Sequence, residues 1–355
     1  MKEIHDIIGK IRKIQQRAVL ATVVHIKGST YRRPGARMLV TESQELVGAI
    51  SGGCLEEDVR KKSQQVLEEN HVQLVTYDMM SDDDIVWGLG LGCNGVVQVL
   101  LEPVMANEVP RELQFVEDCY QNEKAGFIAM IFEAQRQELV GRKYIYGEDD
   151  DIWQKIQKAK PQIFEQNKNS VVEIEIDNVA CKVLVESIMP TTVVVFGAGF
   201  DAVPVVEFCK NLGWKVIICD PRETYLNAER FPRADKRIVA HPKVVDQHLK
   251  LQPHHFVIVM THNYHNDLQV LKQLQSTPVS YIGMLGPKTR TQRIIDEIQE
   301  KAQQQVDSTN IFGPIGLDIG SETPEEIATA IIAEILAVKN QRNGGYLRQY
   351  EGSIH

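Results

Sequence analysis

Long apolar runs are absent from this sequence of 355 residues, and none approaches the ~18 residues that a helix needs to cross a bilayer. The first 17 residues are charged and amphipathic, without the uninterrupted hydrophobic stretch of a signal peptide. From both absences we expect a cytoplasmic protein with no membrane span.

A surplus of positive charge is also missing. Lysine and arginine number 39 against 48 aspartate and glutamate residues, which gives a net charge of −9. Proteins that bind nucleic acid or anionic membranes through general electrostatics carry the opposite balance. We therefore expect no nucleic-acid partner.

Cysteine is present but not grouped. The six cysteines are scattered, and no two of them stand in a C-x-x-C arrangement. This spacing argues against a zinc ribbon, an iron–sulfur cluster and a disulfide framework.

The most informative stretch that is present runs from Thr192 to Asp220. An apolar strand over 192–196 leads into a glycine loop, a helical segment and a second strand that ends at Asp220. Gly197 permits a sharp strand-to-helix turn, and Gly199 lets the backbone approach a pyrophosphate at the helix N-terminus. Asp220 stands where a carboxylate takes a ribose hydroxyl. The pattern predicts a Rossmann-type unit, whose crevice either binds a nucleotide or has been put to another use.

Further strands and helices alternate after Asp220, which predicts a parallel doubly wound sheet. Before it, a helix over 3–17 and a series of strands indicate an α+β arrangement, with a hairpin turning at Asp177-Asn178. We therefore predict an α/β protein with an N-terminal α+β domain over 1–188, within which 103–188 could form a separate sub-region. A Rossmann-like C-terminal domain over 189–355 follows.

Two cysteines stand in glycine-rich loops. Cys54 follows Gly52-Gly53 at a predicted helix start, and Cys93 stands among four glycines. A helix N-terminus favours a thiolate, and glycine loops can hold a thiol exposed. The two thiols could share a soft-metal or sulfur site, with either one touching the metal, or they could be a small buried residue and a flexible connection.

Basic residues accompany these loops. Arg32 and Arg33, with Arg37 just beyond, could bind phosphate or could form a solvated loop face. Lys288 begins a predicted helix after a strand end, where with Arg290 it would make an anion site, although turn chemistry alone explains the glycine and proline before it.

His262 ends a predicted parallel strand, where doubly wound proteins bind ligands. His265 and Asp267 give it the spacing of a metal site, a spacing that helix surfaces and caps also produce. Arg222, two residues after Asp220, could pair with a 2′-phosphate or with Asp220 itself.

Several of these motifs together resemble the XdhC/CoxI family of molybdoenzyme maturation factors. The resemblance rests on residues 28–38, 51–56, 90–93, 196–199, 260–263, 281–288, 316–320 and 323–328. The Ser-Gly-Gly-Cys and Gly-Leu-Asp-Ile-Gly motifs are specific to that family. Asn94 departs from the glycine expected there, and residues 103–188 are not covered.

The resemblance implies a homodimeric chaperone that binds the molybdenum cofactor, promotes its sulfuration by a separate cysteine desulfurase or sulfurase, and delivers it to a xanthine dehydrogenase-type apoenzyme. The site residues we assign to this task are Gly197, Gly199, Asp220, Cys54, Cys93, His262, Arg32, Arg33 and Lys288. The alternative is an NAD(P)-dependent oxidoreductase that acts on a small carbonyl substrate, with His262 as general acid. The chain is not itself a xanthine dehydrogenase by these criteria, because it lacks the cysteine groups that iron–sulfur clusters require.

Overall fold

The computed structural model describes residues 2–79, 95–166, 168–302 and 306–351. The chain divides into two compact units, Glu3–Pro190 and Thr191–His355. No helix among the described residues is both long enough and apolar enough to cross a membrane.

The first unit begins with a five-stranded antiparallel sheet of order β3-β2-β1-β5-β4. Its elements are helix α1 (Lys2–Ile11), β1 (Ala18–Gly28), β2 (Arg37–Thr41), β3 (Leu46–Gly48), helix α2 (Glu56–Glu69), β4 (Gln73–Asp78) and β5 (Gly95–Val104). The helix predicted over 3–17 ends earlier, at Ile11. Ile14 continues the apolar spacing because it packs on the same cluster from the turn that follows.

A second antiparallel sheet, of order β7-β6-β9-β8, completes the first unit. Its elements are α3 (Arg111–Asn122), β6 (Gly126–Ala134), a 3₁₀ turn (Gln137–Leu139), β7 (Lys143–Ile145), α4 (Asp150–Ala159), α5 (Ile163–Gln166), β8 (Ser170–Ile176) and β9 (Val179–Ile188). The predicted hairpin is confirmed, with Asp177 and Asn178 at φ 51° and 59°.

The two sheets of the first unit pack face to face. Val24 and Leu100 of the first sheet share a buried cluster with Met130 and Phe132 of the second. Helix α2 covers the other face of the first sheet and α4 the other face of the second. The strand ends and the turn before α2 therefore project from a rigid two-sheet core.

The second unit is built on a six-stranded parallel sheet of order β12-β11-β10-β13-β14-β15. Its elements are β10 (Thr192–Phe196), α6 (Ala202–Asn211), β11 (Lys215–Asp220), β12 (Lys236–Val239), a 3₁₀ segment (Pro242–Gln247), β13 (His255–Val259), α7 (Tyr264–Leu274), β14 (Tyr281–Met284), α8 (Lys288–Ala302), β15 (Ile311–Phe312), α9 (Pro324–Lys339) and a 3₁₀ turn (Leu347–Gln349). The predicted fold class is confirmed.

Helices cover both faces of this parallel sheet. Val193 and Val195 of β10 pack in one cluster with residues of α6 and α9. Val194 and Phe196, which alternate with them, pack in the opposite cluster with residues of α7 and α8. Burial on both faces explains why β10 is a continuous apolar run rather than an alternating one.

The order of the parallel strands defines where a ligand would bind. From β10 the chain steps outward through β11 and β12, then returns to place β13 on the other side of β10. The carboxyl ends of β10 and β13 therefore flank a topological switch point, where open α/β sheets form their binding crevice.

Candidate functional site

In the first unit, the turn before α2 is held by Glu56. Its carboxylate accepts hydrogen bonds from the backbone N–H groups of Ser51 at 2.8 Å and Ile50 at 3.2 Å, and from the Ser51 hydroxyl. The Ser51 oxygen in turn accepts from the N–H groups of Gly53 and Leu55, both at 3.1 Å. Burial opposes the charge of Glu56, but the bonds from Ser51 and Ile50 outweigh it and hold the pKa below its usual value. The backbone N–H groups of the turn are thus hydrogen-bonded by side chains of the turn and of the first residue of α2.

Cys54 stands on this turn and is partly exposed. Among the five cysteines that the structure describes it is the one that is not buried; the others are Cys119, Cys181, Cys209 and Cys219. Burial raises the pKa of Cys119 to about 11 and that of Cys219 to about 12, so those thiols are poor metal ligands and nucleophiles. The other predicted thiol, Cys93, lies outside the described residues.

The loop after β1 lies against the Cys54 turn. A Cβ placed on Gly52 would lie 3.6 Å from Cγ of Tyr31, so the aromatic ring rests on the glycine. On the same loop, the Ser29 carbonyl oxygen would lie 2.8 Å from a Cβ on Gly95, at the start of β5. The structure therefore brings two of the sequence motifs, residues 28–35 and 51–56, together through the contact of the exposed Tyr31 with Gly52, two residues before Cys54.

Arg32, one of the predicted phosphate ligands, forms an ion pair within the unit. Its guanidinium lies 2.6 Å from the carboxylate of Glu3 in α1, and the other oxygen of Glu3 accepts from the N–H of Ala49 at 2.8 Å. Arg33 is partly buried, and its carbonyl oxygen accepts from the N–H of Ala36. Arg32 therefore connects the loop to α1. Phosphate binding by Arg32 and Arg33 stays a prediction.

Arg37 is buried, with 1% of its surface exposed. Its guanidinium forms a two-pronged ion pair with Glu186 of β9, and one prong measures 2.9 Å. The pair links the two sheets of the first unit, so Arg37 has a structural role rather than that of an open phosphate ligand.

In the second unit, the loop after β10 opens helix α6. Gly197 has φ 118°, and a Cβ there would lie 2.3 Å from the carbonyl oxygen of Met260, so this position requires glycine. The N–H groups of Gly199, Phe200 and Asp201 donate to no acceptor within the described part of the chain. These donors at the start of α6 are what an anion at a helix N-terminus requires.

Asp220 ends β11 with its carboxylate fully engaged. One oxygen accepts from the N–H of Ala198, and Arg222 bonds both oxygens through its guanidinium at 2.8 and 2.9 Å. A fourth bond comes from the N–H of Arg222 at 2.8 Å. Burial acts to raise the pKa of Asp220, but these bonds outweigh it, so the net pKa is below its usual value. A ribose hydroxyl could bond this carboxylate only in competition with Arg222.

His262 follows β13 and lies over the glycine loop. Its Nε2 is 2.7 Å from an Asp201 carboxylate oxygen, and a Cβ on Gly199 would lie 3.5 Å from its ring. The imidazole is 58% exposed, whereas Asp201 is 14% exposed. The structure therefore brings together Gly197, Gly199 and His262 in the loops after the two strands that flank the switch point, with Asp201 orienting the imidazole.

The neighbouring rim is held by Asp267, which is 1% exposed. It accepts from the Thr261 hydroxyl and from the guanidinium of Arg290. Asp267 is therefore a buried acceptor rather than a surface or capping residue, because Asn263 caps α7. Arg290 supports the rim rather than standing ready for a ligand. Lys288 is exposed at the first residue of α8, and its predicted role toward an anion stays a prediction.

The structure adds residues that the sequence alone did not single out. Asp201 stands inside the glycine loop, and a carboxylate there near a strand-end histidine was a usable signal. Phe200 in the same loop is 79% exposed, which is unusual for a large aromatic residue. Arg230 lies over the Phe200 ring from a distant segment of the chain, a contact that no spacing in the sequence predicts.

Comparison with known proteins agrees with both units. Residues 12–78 match the model of the XdhC and CoxI family, and residues 193–335 match that of the XdhC Rossmann domain. A protein of Bacillus subtilis strain 168, named as a probable subunit of xanthine dehydrogenase, is 32% identical over 342 residues, which cover 96% of this chain and 99% of the relative. The uncharacterized protein YqeB of Escherichia coli K12 is 28% identical over 214 residues, which cover 59% of this chain and 38% of YqeB.

A solved structure shares the whole fold. The crystal structure of a protein from Bacillus halodurans, described as a xanthine dehydrogenase, superposes with a TM-score of 0.76 and 30% sequence identity. The superposition covers 99% of each chain. Because both family models match and a relative at 32% identity aligns along nearly its full length, this chain belongs to the XdhC and CoxI family.

Proposed function

We propose that this protein is a xanthine dehydrogenase accessory factor that binds the molybdenum cofactor, assists its sulfuration and helps to insert it into a xanthine dehydrogenase-type apoenzyme. The observation that carries the proposal is the full-length similarity to a relative whose name associates it with xanthine dehydrogenase. The cofactor is cargo in this proposal, and the protein needs to hold and release it rather than to turn it over.

The chemistry of the first unit suits such cargo. Molybdenum with a dithiolene is a soft centre, and thiolate sulfur is the protein ligand that soft centres prefer. Cys54 is partly exposed and packs against the core of the first sheet, on a turn whose N–H groups are already bonded to Glu56. The turn therefore holds the cysteine in place, and its N–H groups bonded to Glu56 are not available to bind an anionic group of the cofactor.

The second unit, taken by itself, offers donors for an anionic group. The N–H groups of Gly199, Phe200 and Asp201 would donate to a phosphate, and the neighbouring His262 could donate a further hydrogen bond. Lys288 on the same rim would add positive charge.

The test is retention of freshly released molybdenum cofactor by the purified protein on gel filtration, with molybdenum and pterin both quantified. We expect close to stoichiometric retention by the natural chain and about tenfold weaker binding by Cys54→Ala. Cys181→Ala, which removes a buried thiol, is the matched control and should bind like the natural chain. No retention of pterin by the natural chain would contradict the proposal.

An NAD(P)-dependent oxidoreductase is the second candidate, and the position of His262 over the glycine loop favours it. The engagement of Asp220 by Arg222 opposes it, because the ribose diol of NAD would have to displace an ion pair. Calorimetric titration with NAD(H) and NADP(H), run beside the cofactor experiment, separates the two. Saturable nicotinamide binding without pterin binding would favour the oxidoreductase.

We propose further that the protein works in the cytoplasm as a homodimer, with a cysteine desulfurase and a molybdenum apoenzyme as partners. Symmetric dimers are the commonest oligomers of soluble proteins. Analytical ultracentrifugation tests the dimer, and co-purification with each tagged partner tests the associations. A monomer at micromolar concentration would remove the dimer from the proposal.

A further inference from the structure

The rim of the second unit carries a cluster of two aromatic rings and a guanidinium beside the glycine loop. We define it as the ring clamp: Phe200, Tyr225 and Arg230. The Arg230 guanidinium carbon lies 4.7 Å from the centre of the Phe200 ring and 5.0 Å from that of Tyr225. Arg222, which is paired with Asp220, also lies over the Tyr225 ring, at 4.3 Å. The clamp is therefore continuous with the Asp220 ion pair.

The Arg230 guanidinium forms no ion pair with a described residue. No carboxylate or carbonyl oxygen in that part of the chain accepts a hydrogen bond from its guanidinium, and its buried Nη2 has no hydrogen-bond partner there. The next arginine on the same segment behaves differently, because Arg233 lies 2.6 Å from Glu207 and 2.8 Å from Asn211. An unpaired guanidinium held in place by ring faces is preorganised for an anion.

The ring of Phe200 is 79% exposed although it stands in the glycine loop at the switch point. Exposing a large aromatic ring to water is unfavourable, and an exposed ring beside a binding loop is a surface on which a planar ligand can stack. The N–H groups of Gly199 and Asp201, which have no acceptor in the described chain, flank the same residue.

We propose that the ring clamp binds a planar nitrogen heterocycle that carries a phosphate, with the heterocycle stacked on Phe200 and negative charge balanced by Arg230. This subsite deepens the proposed function and rests on it in part, because a phosphorylated pterin is one source of that chemistry. A free nucleotide is the other source. Asp220 and Arg222 already occupy each other, so recognition at this rim rests on the ring and the anion rather than on a ribose diol.

The experiment measures binding by calorimetry to the full chain with two probes, released molybdenum cofactor and AMP. Arg230→Met is compared with Arg233→Met, which removes an arginine that has its own partners. Phe200→Leu is compared with Phe200→Tyr, which keeps the ring. We expect Arg230→Met and Phe200→Leu each to weaken whichever probe binds by about tenfold or more, and the two controls to change it less than about twofold.

The outcomes separate this inference from the proposed function. If the cofactor binds and all four variants retain natural affinity, the ring clamp is not a subsite although the proposed function stands. If AMP alone binds and depends on Arg230 and Phe200, the subsite stands and cofactor binding is contradicted. Binding of neither probe by the natural chain overturns both. Circular dichroism and thermal unfolding of each variant confirm that the fold is retained, and the comparison of Phe200→Leu with Phe200→Tyr keeps the test decisive if Arg230→Met unfolds.

Discussion

Two turns that each contain two glycines precede helices in this protein, and the backbone N–H groups of the two turns have different partners. In the first unit, the turn before α2 already binds a carboxylate, because Glu56 accepts hydrogen bonds from the backbone N–H groups of the turn. In the second unit, the turn before α6 leaves the N–H groups of Gly199, Phe200 and Asp201 without an acceptor in the described chain. One turn fixes a thiol, and the other is open to an anion.

The difference lies in the residue that begins each helix. Glu56 is the first residue of α2 and folds back onto the turn, whereas Ala202 begins α6 and has no side chain that could do so. Asp201, which precedes Ala202, does carry a carboxylate, but it makes no capping hydrogen bond and pairs with His262 instead. A glycine-rich helix start is therefore open to an anion only where no carboxylate of the chain bonds its N–H groups.

The two glycines with left-handed backbone give the largest contrast. Gly53 and Gly197 have φ 113° and 118°, but a Cβ on Gly53 meets nothing within 4 Å among the described residues, whereas one on Gly197 would lie 2.3 Å from the Met260 carbonyl oxygen. Gly53→Ala should cost about 1 kcal/mol of backbone strain. Gly197→Ala adds a backbone clash and should cost about 3–4 kcal/mol. Equal losses in chemical denaturation would show that the clash is relieved by movement of the segment that follows β13.

Removing the internal carboxylate tests the closed turn. Glu56→Ala leaves the N–H groups of Ile50 and Ser51 without their acceptor, so we expect a loss of about 2–3 kcal/mol in the free energy of unfolding. The Cys54 thiol should also react faster with an aromatic disulfide. Glu57→Ala is the control, since Glu57 is exposed and pairs with basic residues on its own helix. Unchanged stability and thiol reactivity in Glu56→Ala would mean that the turn is held by its neighbours.

The smallest effect concerns Asp220 and should depend on pH. Because its folded-state pKa is lowered, Asp220 contributes its full stabilisation above its usual pKa of about 4 and loses it as the pH falls through the lower folded-state value. Asp220→Asn should therefore be less stable by about 1–2 kcal/mol near pH 7. The difference from the natural chain should shrink below about pH 4. Urea titrations across this range give the measurement, and a difference independent of pH would exclude the ion pair as its source.

Much of the fold could be predicted because it depends on local patterns. The run over 192–196 and the alternation that follows predict a parallel sheet, and Asp177-Asn178 predicts a hairpin. The end of α1 could not be predicted, because Ile14 keeps helical spacing while packing from a turn.

The site was predictable only where its residues are neighbours in sequence or end adjacent strands. Gly197, Gly199 and His262 come together because β10 and β13 are paired in the sheet. The residues that pair with the arginines, or stack against them, are distant from them in sequence. Arg32 finds Glu3, and Arg230 reaches Phe200, through tertiary packing that periodicity does not report.

The open N–H groups at residues 199–201 have a consequence for hydrogen–deuterium exchange. Amide protons without an acceptor exchange with solvent without waiting for the protein to open, whereas those bonded to Glu56 exchange only when their turn opens. A bound anion would accept hydrogen bonds from these N–H groups, so that their exchange would slow as it does for the amides bonded to Glu56. Slower exchange of the amides of residues 199–201 would therefore report, residue by residue, that an anion is bound at the start of α6.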